Sequence, residues 1–154
     1  MKTVLIPLDG STFAEEALGK GLEHCQKSDE IVLVQCIDYN LLFANAVDFS
    51  PQTIRELQEQ DQRRCQEYLD RQVARLRERG YSARSVAADG SPVEGILRTA
   101  EQQRADQIIL TTHGRSGLAR VFMGSVAEGV LRRAECPVLI IPSSARSSQA
   151  SSVI

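Results

Sequence analysis

The stretch Thr111-Thr112-His113-Gly114-Arg115-Ser116-Gly117, closed by Gly124-Ser125, has the residue types and spacing of a phosphate cradle. It follows the apolar run Ile108-Ile109-Leu110 and leads into a helix expected to start at Ser125. Glycines and unpaired backbone N–H groups therefore gather where a strand hands over to a helix N-terminus, and the positive end of the helix dipole draws an anion there. Gly114 and Gly124 can each take positive φ and bring bare backbone against a phosphate, and Ser125 can add its hydroxyl. The alternative is purely structural: a tight turn at Gly114, relief of crowding at Gly124, an N-cap at Ser125. His113 and Arg115 flank Gly114 and could add a hydrogen bond or a charge, although a histidine in a loop is more often solvated.

A second group of residues closes the first strand: Pro7-Leu8-Asp9-Gly10-Ser11-Thr12. In open α/β sheets ligands bind beyond the C-terminal ends of the strands, where strand order reverses, which directs attention to Asp9 and Thr111. Asp9 can accept from a ribose or shape a polar pocket; equally it can cap the first helix or hold the turn before Gly10. The chain carries no G-x-x-x-x-G-K-[ST], no G-x-G-x-x-G after the first strand and no G-x-S-x-G, and no Ser/His/Asp set or metal cluster stands out. Binding is better supported than catalysis. Cys25, Cys36, Cys65 and Cys136 lie far apart without a C-x-x-C pair and read as reduced, mostly buried thiols, a redox role for Cys65 being the alternative.

These residues must be placed by a scaffold, and the apolar pattern supplies it. Val4-Leu5-Ile6, Ile31-Val32-Leu33-Val34, Ile108-Ile109-Leu110 and Val138-Leu139-Ile140-Ile141 are short, nearly continuous and rich in β-branched residues, as strands covered on both faces are. Ala83 to Ala88 is a weaker run, suited to a strand near a sheet edge. Thr12-x-x-Glu15, Ser91-Pro92-Val93-Glu94 and Ser125-Val126-Ala127-Glu128 read as capping boxes, and His24 falls on the surface of the first helix. The longest helix is expected from Pro51 to about Arg79, with Ile54, Leu57, Cys65, Tyr68, Leu69, Val73 and Leu76 on one face, Asp61 interrupting it and Gly80 ending it. The order β-α-β-α-β-α-β-α-β implies a single-domain α/β fold: an open, mainly parallel five-stranded sheet with helices on both faces.

Composition sets the outer limits. A chain of 154 residues with 42% hydrophobic residues suits one core, and a formal charge of -2 gives no general attraction to nucleic acid or anionic membranes. With no signal-peptide pattern and no apolar stretch of spanning length, a cytoplasmic protein is expected. Residues 143–154 hold serine at six positions and read as a flexible tail after a domain spanning 1–142.

Taken together, Pro-Leu-Asp-Gly-Ser after the first strand, Gln35-Cys36-Ile37-Asp38, and Thr-His-Gly-Arg-Ser-Gly…Met-Gly-Ser-Val-Ala-Glu followed by Cys-Pro-Val-Leu-Ile-Ile-Pro resemble the universal stress protein family over residues 2–142. The resemblance implies a Rossmann-like domain of the adenine nucleotide alpha hydrolase type, strand order 3-2-1-4-5, usually a homodimer. It implies ATP, possibly with Mg²⁺, as the ligand of a stress-response binding module with at most slow ATPase activity. ATP-binding members carry Gly, two residues, Gly, nine residues, Gly and Ser or Thr; here Gly114, Gly124 and Ser125 match, and Thr111 stands at the first glycine. By the same resemblance Asp9 contacts the ribose or adenine side, Pro7 and Leu8 line the pocket, Cys36 lies near the adenine, and Gly114, Gly124, Ser125 and Val126 hold the phosphates. The family often has His at the position of Gln35. A nucleotide-free interaction or scaffold protein of the same fold is the alternative that Thr111 favours.

Strand order 3-2-1-4-5 places Pro137 to Pro142 at a sheet edge with apolar residues on both faces, so pairing with a second subunit through this strand is expected, a fold-over of the tail being the alternative. The connection from Tyr39 to Ser50 is oily for a loop, with Leu41, Leu42, Phe43, Val47 and Phe49; it could shield the pocket, meet an unknown protein partner or pack on its own domain.

Overall fold

A computed structural model describes residues 1–42, 44, 49–114 and 124–144 of the chain. The strands are β1 (Thr3–Pro7), β2 (Glu30–Ile37), β3 (Ser82–Asp89), β4 (Gln107–Gly114) and β5 (Val138–Ser144). The helices are α1 (Thr12–Gly21), α2 (Tyr39–Leu42), α3 (Pro51–Glu78), α4 (Pro92–Gln102) and α5 (Ser125–Arg133), with a 3₁₀ turn at Leu22–His24 that holds the exposed His24. All recorded pairings are parallel and the sheet order is β3-β2-β1-β4-β5. The expected architecture holds, with the weak run Ala83–Ala88 forming one edge.

Because side chains alternate across a strand, each apolar run feeds two cores. Val4, Ile6, Ile31, Leu33, Ile109 and Ile141 meet Leu18 of α1 and Leu69, Val73 and Leu76 of α3 on one face. Leu5, Val32, Val34, Ile108 and Leu110 meet Ile96 of α4 and Ala127 and Val130 of α5 on the other. α3 follows the expected span: its C-cap is Arg79, and Gly80 leaves it at φ +82, a conformation costly for any residue with a Cβ. Its outer half carries the interruption at Asp61, which pairs with Arg64 at 3.8 Å, and the buried residues begin at Cys65.

Three expectations about helix starts and strand ends are corrected. The N-cap of α1 is Ser11, whose Oγ accepts from the Ala14 N–H at 3.2 Å, so Thr12 is already helical. The N-cap of α5 is Gly124 and Ser125 is its first helical residue, so Ser125 is not the cap. β5 continues through Ser143 and Ser144, which pair with His113 and Gly114, two residues into the expected tail. Leu41 and Leu42 lie on the short α2; Phe43 and Val47 of the oily connection, and residues 145–154, lie outside the described residues. Among the described residues no helix is long and apolar enough to cross a membrane.

Candidate functional site

The sheet opens where β1 and β4 part. β1 pairs with β2 as far as Pro7 and Val34, and the Leu8 N–H extends that ladder to the Val34 carbonyl at 2.8 Å. On its other side β1 pairs with β4 only at Val4–Gln107 and Leu5–Ile108, while β4 runs on beside β5 to Gly114. The chain then leaves β1 into α1 on one face, and α5 lies on the other, so this is the point of reversal at which a doubly wound sheet has a crevice.

A cleft of about 440 Å³ occupies that place, within the roughly 300–1,000 Å³ usual for small-molecule sites. The end of β1 contributes Pro7, Leu8 and Asp9, β2 contributes Val34, Gln35 and Cys36, and β4 contributes Leu110 and Thr111. Helix starts supply the rest: Ala14 of α1, Pro92 and Ile96 of α4, and Gly124, Ser125, Val126 and Ala127 of α5. Of the residues singled out from sequence, Pro7, Leu8, Asp9, Cys36, Thr111, Gly124, Ser125 and Val126 thus share one cavity. His113 and Gly114 continue β4 beyond Thr111 and are described there by backbone pairing alone; Arg115 lies outside the described residues.

Asp9 stands in a turn of its own making. Its Oδ1 accepts from the Ser11 N–H at 2.9 Å and from the Ser11 hydroxyl at 2.5 Å, and Gly10 between them has φ +81. The structural reading of Asp9 is therefore correct in part: it holds the turn, while Ser11 caps the helix. The same turn sets the exposed carboxylate at the cleft mouth.

Cys36 presents two different surfaces. Its thiol donates to the Pro92 carbonyl at 3.7 Å, and Gly95 of α4 lets it sit there, since a Cβ on Gly95 would lie 2.5 Å from the sulfur. Burial, partly offset by the Arg98 charge, pushes this thiol up to about 11, so it remains protonated and unreactive at neutral pH. Burial also pushes Cys65 up to about 11, which disfavours the thiolate that a redox role would use. The backbone of Cys36 faces another way. N–H and C=O of alternate residues point to the same side of a strand, and the Val34 carbonyl points to β1. Those of Cys36 do too, where β1 has already left the sheet, and they present a donor and an acceptor side by side to the cleft.

At the opposite wall α5 begins without a side-chain cap among the described residues, and its first turn lines the cavity with the positive end of the helix dipole behind it. The positive φ open to Gly124 is not used: φ is -60 and ψ 155, which any residue adopts, and a Cβ there would meet nothing within 4 Å among the described residues. Neither strain nor packing against the described residues demands this glycine; its missing side chain keeps cleft space open.

Sequence reasoning missed Val34, Gln35, Leu110, Pro92, Ile96, Ala14 and Ala127. For Val34 and Leu110 the signal was present, as they end the apolar runs that the sequence reads as strands. Gln35 was marked only as a position where the family often has His; its Oε1 is buried with no hydrogen-bond partner among the described residues, and its Nε2 lies 3.6 Å from where a Gly10 Cβ would be. Among the described residues no group of three His, Cys, Asp or Glu could hold a metal ion.

Residues 1–142 match the model of the universal stress protein family. A universal stress protein of Methanocaldococcus jannaschii is 31% identical over 141 residues, covering 91% of this chain and 81% of that protein. The solved structure of hypothetical protein MJ0577, from the same archaeon, superposes with a TM-score of 0.77 at 26% identity over 93% of this chain and 96% of that one. A family protein of Arabidopsis thaliana with AMP bound shares the fold, with a TM-score of 0.68 at 18% identity and coverage of 94% of both chains.

Proposed function

The chain belongs to the universal stress protein family, and from that premise we propose that it binds an adenine nucleotide, ATP, in the cleft between β1 and β4 and acts as a nucleotide-responsive module. The observation that carries the reading is the pairing, across one cavity, of the exposed backbone donor and acceptor of Cys36 with the uncapped first turn of α5. An adenine offers the complement of the first, an acceptor ring nitrogen beside a donor amino group, and phosphates complement the second. Val34, Leu110, Ile96 and Val126 supply the apolar wall a base requires, and Asp9 stands where a ribose hydroxyl would donate. The AMP bound by the Arabidopsis relative supports the ligand class.

Asp9 is the carboxylate lining the cleft, and no metal-ligating cluster surrounds it among the described residues. Mg²⁺ would accordingly accompany the phosphates rather than occupy a protein cage. Hydrolysis would be at most slow, as the sequence carries no recognisable catalytic motif. β5, apolar on both faces at the sheet edge, is the surface for a homodimer. A nucleotide-free scaffold is the second reading, favoured by one observation: the half-buried Thr111 side chain lines the cavity.

Calorimetric titration of ATP into the wild type and Gly124→Val decides between them. The variant should fold with a loss of about 1 kcal/mol, as valine is a poorer N-cap than glycine while the extended backbone and the described surroundings accept it, and should lose affinity at least tenfold, about 1.4 kcal/mol. Unchanged affinity removes α5 from the site. Absence of binding by the wild type leaves the scaffold reading.

A further inference from the structure

The sheet has a second edge, β3, and its backbone is already occupied at both ends. The Gly90 N–H donates to the Ile37 carbonyl at 3.0 Å. Counting back by two, Ala88, Val86 and Arg84 therefore turn their backbone groups to β2, while Ala83, Ser85, Ala87 and Asp89 turn theirs outward. An added strand would have to hydrogen-bond to this outward row. Two of its carbonyls are held by arginines. Arg77 donates to the Ala83 oxygen through Nε at 3.0 Å and Nη2 at 2.8 Å, and Arg98 Nη2 donates to the Asp89 oxygen at 2.5 Å.

The two arginines come from opposite layers. Arg77 lies in the last turn of α3 on one face of the sheet, and Arg98 lies on α4 on the other. A guanidinium bonded to an outward carbonyl stands in the lane that the next strand would use, and its charge repels a second copy bringing the same pair. Between them the outward backbone groups of Ser85 and Ala87 have no backbone partner among the described residues. Residues 83 and 89 are about 20 Å apart at strand rise, and within that interval only Ser85 and Ala87 offer outward backbone groups, so a strand fitted between the arginines would find two residues to bond to. Ser85-Val86-Ala87-Ala88 carries no charge of its own to discourage pairing, which is the circumstance in which an edge needs protection.

We infer that Arg77 and Arg98 close the β3 edge to strand pairing with a second copy of the chain, leaving β5 as the edge through which copies can join. The inference is independent of whether the cleft takes a nucleotide. Light scattering over a wide concentration range tests it on three proteins: the wild type, the Arg77→Ala/Arg98→Ala double variant, and that variant with Ser85→Pro added. The wild type should hold one stoichiometry. The double variant should at least double in mass as concentration rises, and Ser85→Pro, which removes an outward N–H, should return it to the wild-type mass. A folded double variant with wild-type mass overturns the inference, as does added mass that survives Ser85→Pro. Should the double variant fail to fold, Ser85→Pro alone in the wild type decides: unchanged mass supports a closed edge, and a fall in mass shows that copies already pair through β3 and overturns it.

Discussion

Gly95→Ala probes the wall that α4 and β2 build behind the cleft. The new methyl would stand 2.5 Å from Cys36 Sγ, 3.4 Å from Cys36 Cβ and 3.6 Å from Ala88 Cβ. Comfortable separations begin at about 3.5 Å, so the thiol must swing away or α4 must retreat by about 1 Å. Overpacking of this kind costs about 1–3 kcal/mol, while alanine gains about 1 kcal/mol over glycine inside a helix. The variant should lose about 0–2 kcal/mol. Cys36→Ala removes the sulfur and leaves 3.4 Å as the nearest approach, so in that background Gly95→Ala should instead gain about 1 kcal/mol. Urea unfolding of the four proteins, with m-values checked for constancy, measures the coupling, expected at about 1–3 kcal/mol. A Gly95→Ala shift of the same sign and size in both backgrounds refutes the steric argument. Because Cys36 lines the cleft, ATP titration of the same four proteins shows whether displacement of the wall reaches the site.

Thr111→Gly should tighten ATP binding by opening the floor of the cleft, and should lower stability by about 1 kcal/mol for a glycine in a strand; calorimetry showing no gain in affinity would mean that Thr111 does not limit the cavity. The folded-state pKa of both Cys36 and Cys65 is raised to about 11 by burial. Their contribution to stability is therefore complete below the unfolded thiol value and is lost as pH rises through about 11, with slow labelling by a thiol reagent at pH 8 until the chain is unfolded. Buried Asp29 accepts from the Lys2 N–H at 2.9 Å and the Gln26 N–H at 2.8 Å, bonds that hold its carboxyl below the usual range. Its stabilisation is present above the unfolded carboxyl value and lost as pH falls through the lowered one; Asp29→Ala should cost about 1–3 kcal/mol at pH 7 and flatten the acid limb of the stability profile.

The positions of β1, β2, β4 and β5 were legible because strands buried on both faces must be apolar without interruption, and the extent of α3 because Pro51 and Gly80 bracket its apolar stripe. Ser11 and Gly124 were not legible as caps. A cap depends on where the chain bends, and the bend after β1 comes from the Asp9–Ser11 bonds and the positive φ of Gly10, not from the type of residue twelve.

Sequence alone established the kind of protein this is: the order of its elements, the family motifs, and the two ends of the chain segment, near Asp9 and near Ser125, that a ligand would bridge. These are properties of composition and spacing, written locally along the chain. Only the tertiary structure decided that β1 leaves β4 after Leu5 but stays with β2 to Pro7, which turns the Cys36 backbone into the cleft. The contact of Cys36 with Gly95 and the hold of Arg77 and Arg98 on the outer row of β3 are likewise facts of folding. Each joins groups that lie far apart or on different layers, and their meeting depends on register and crossing geometry, which no local pattern encodes.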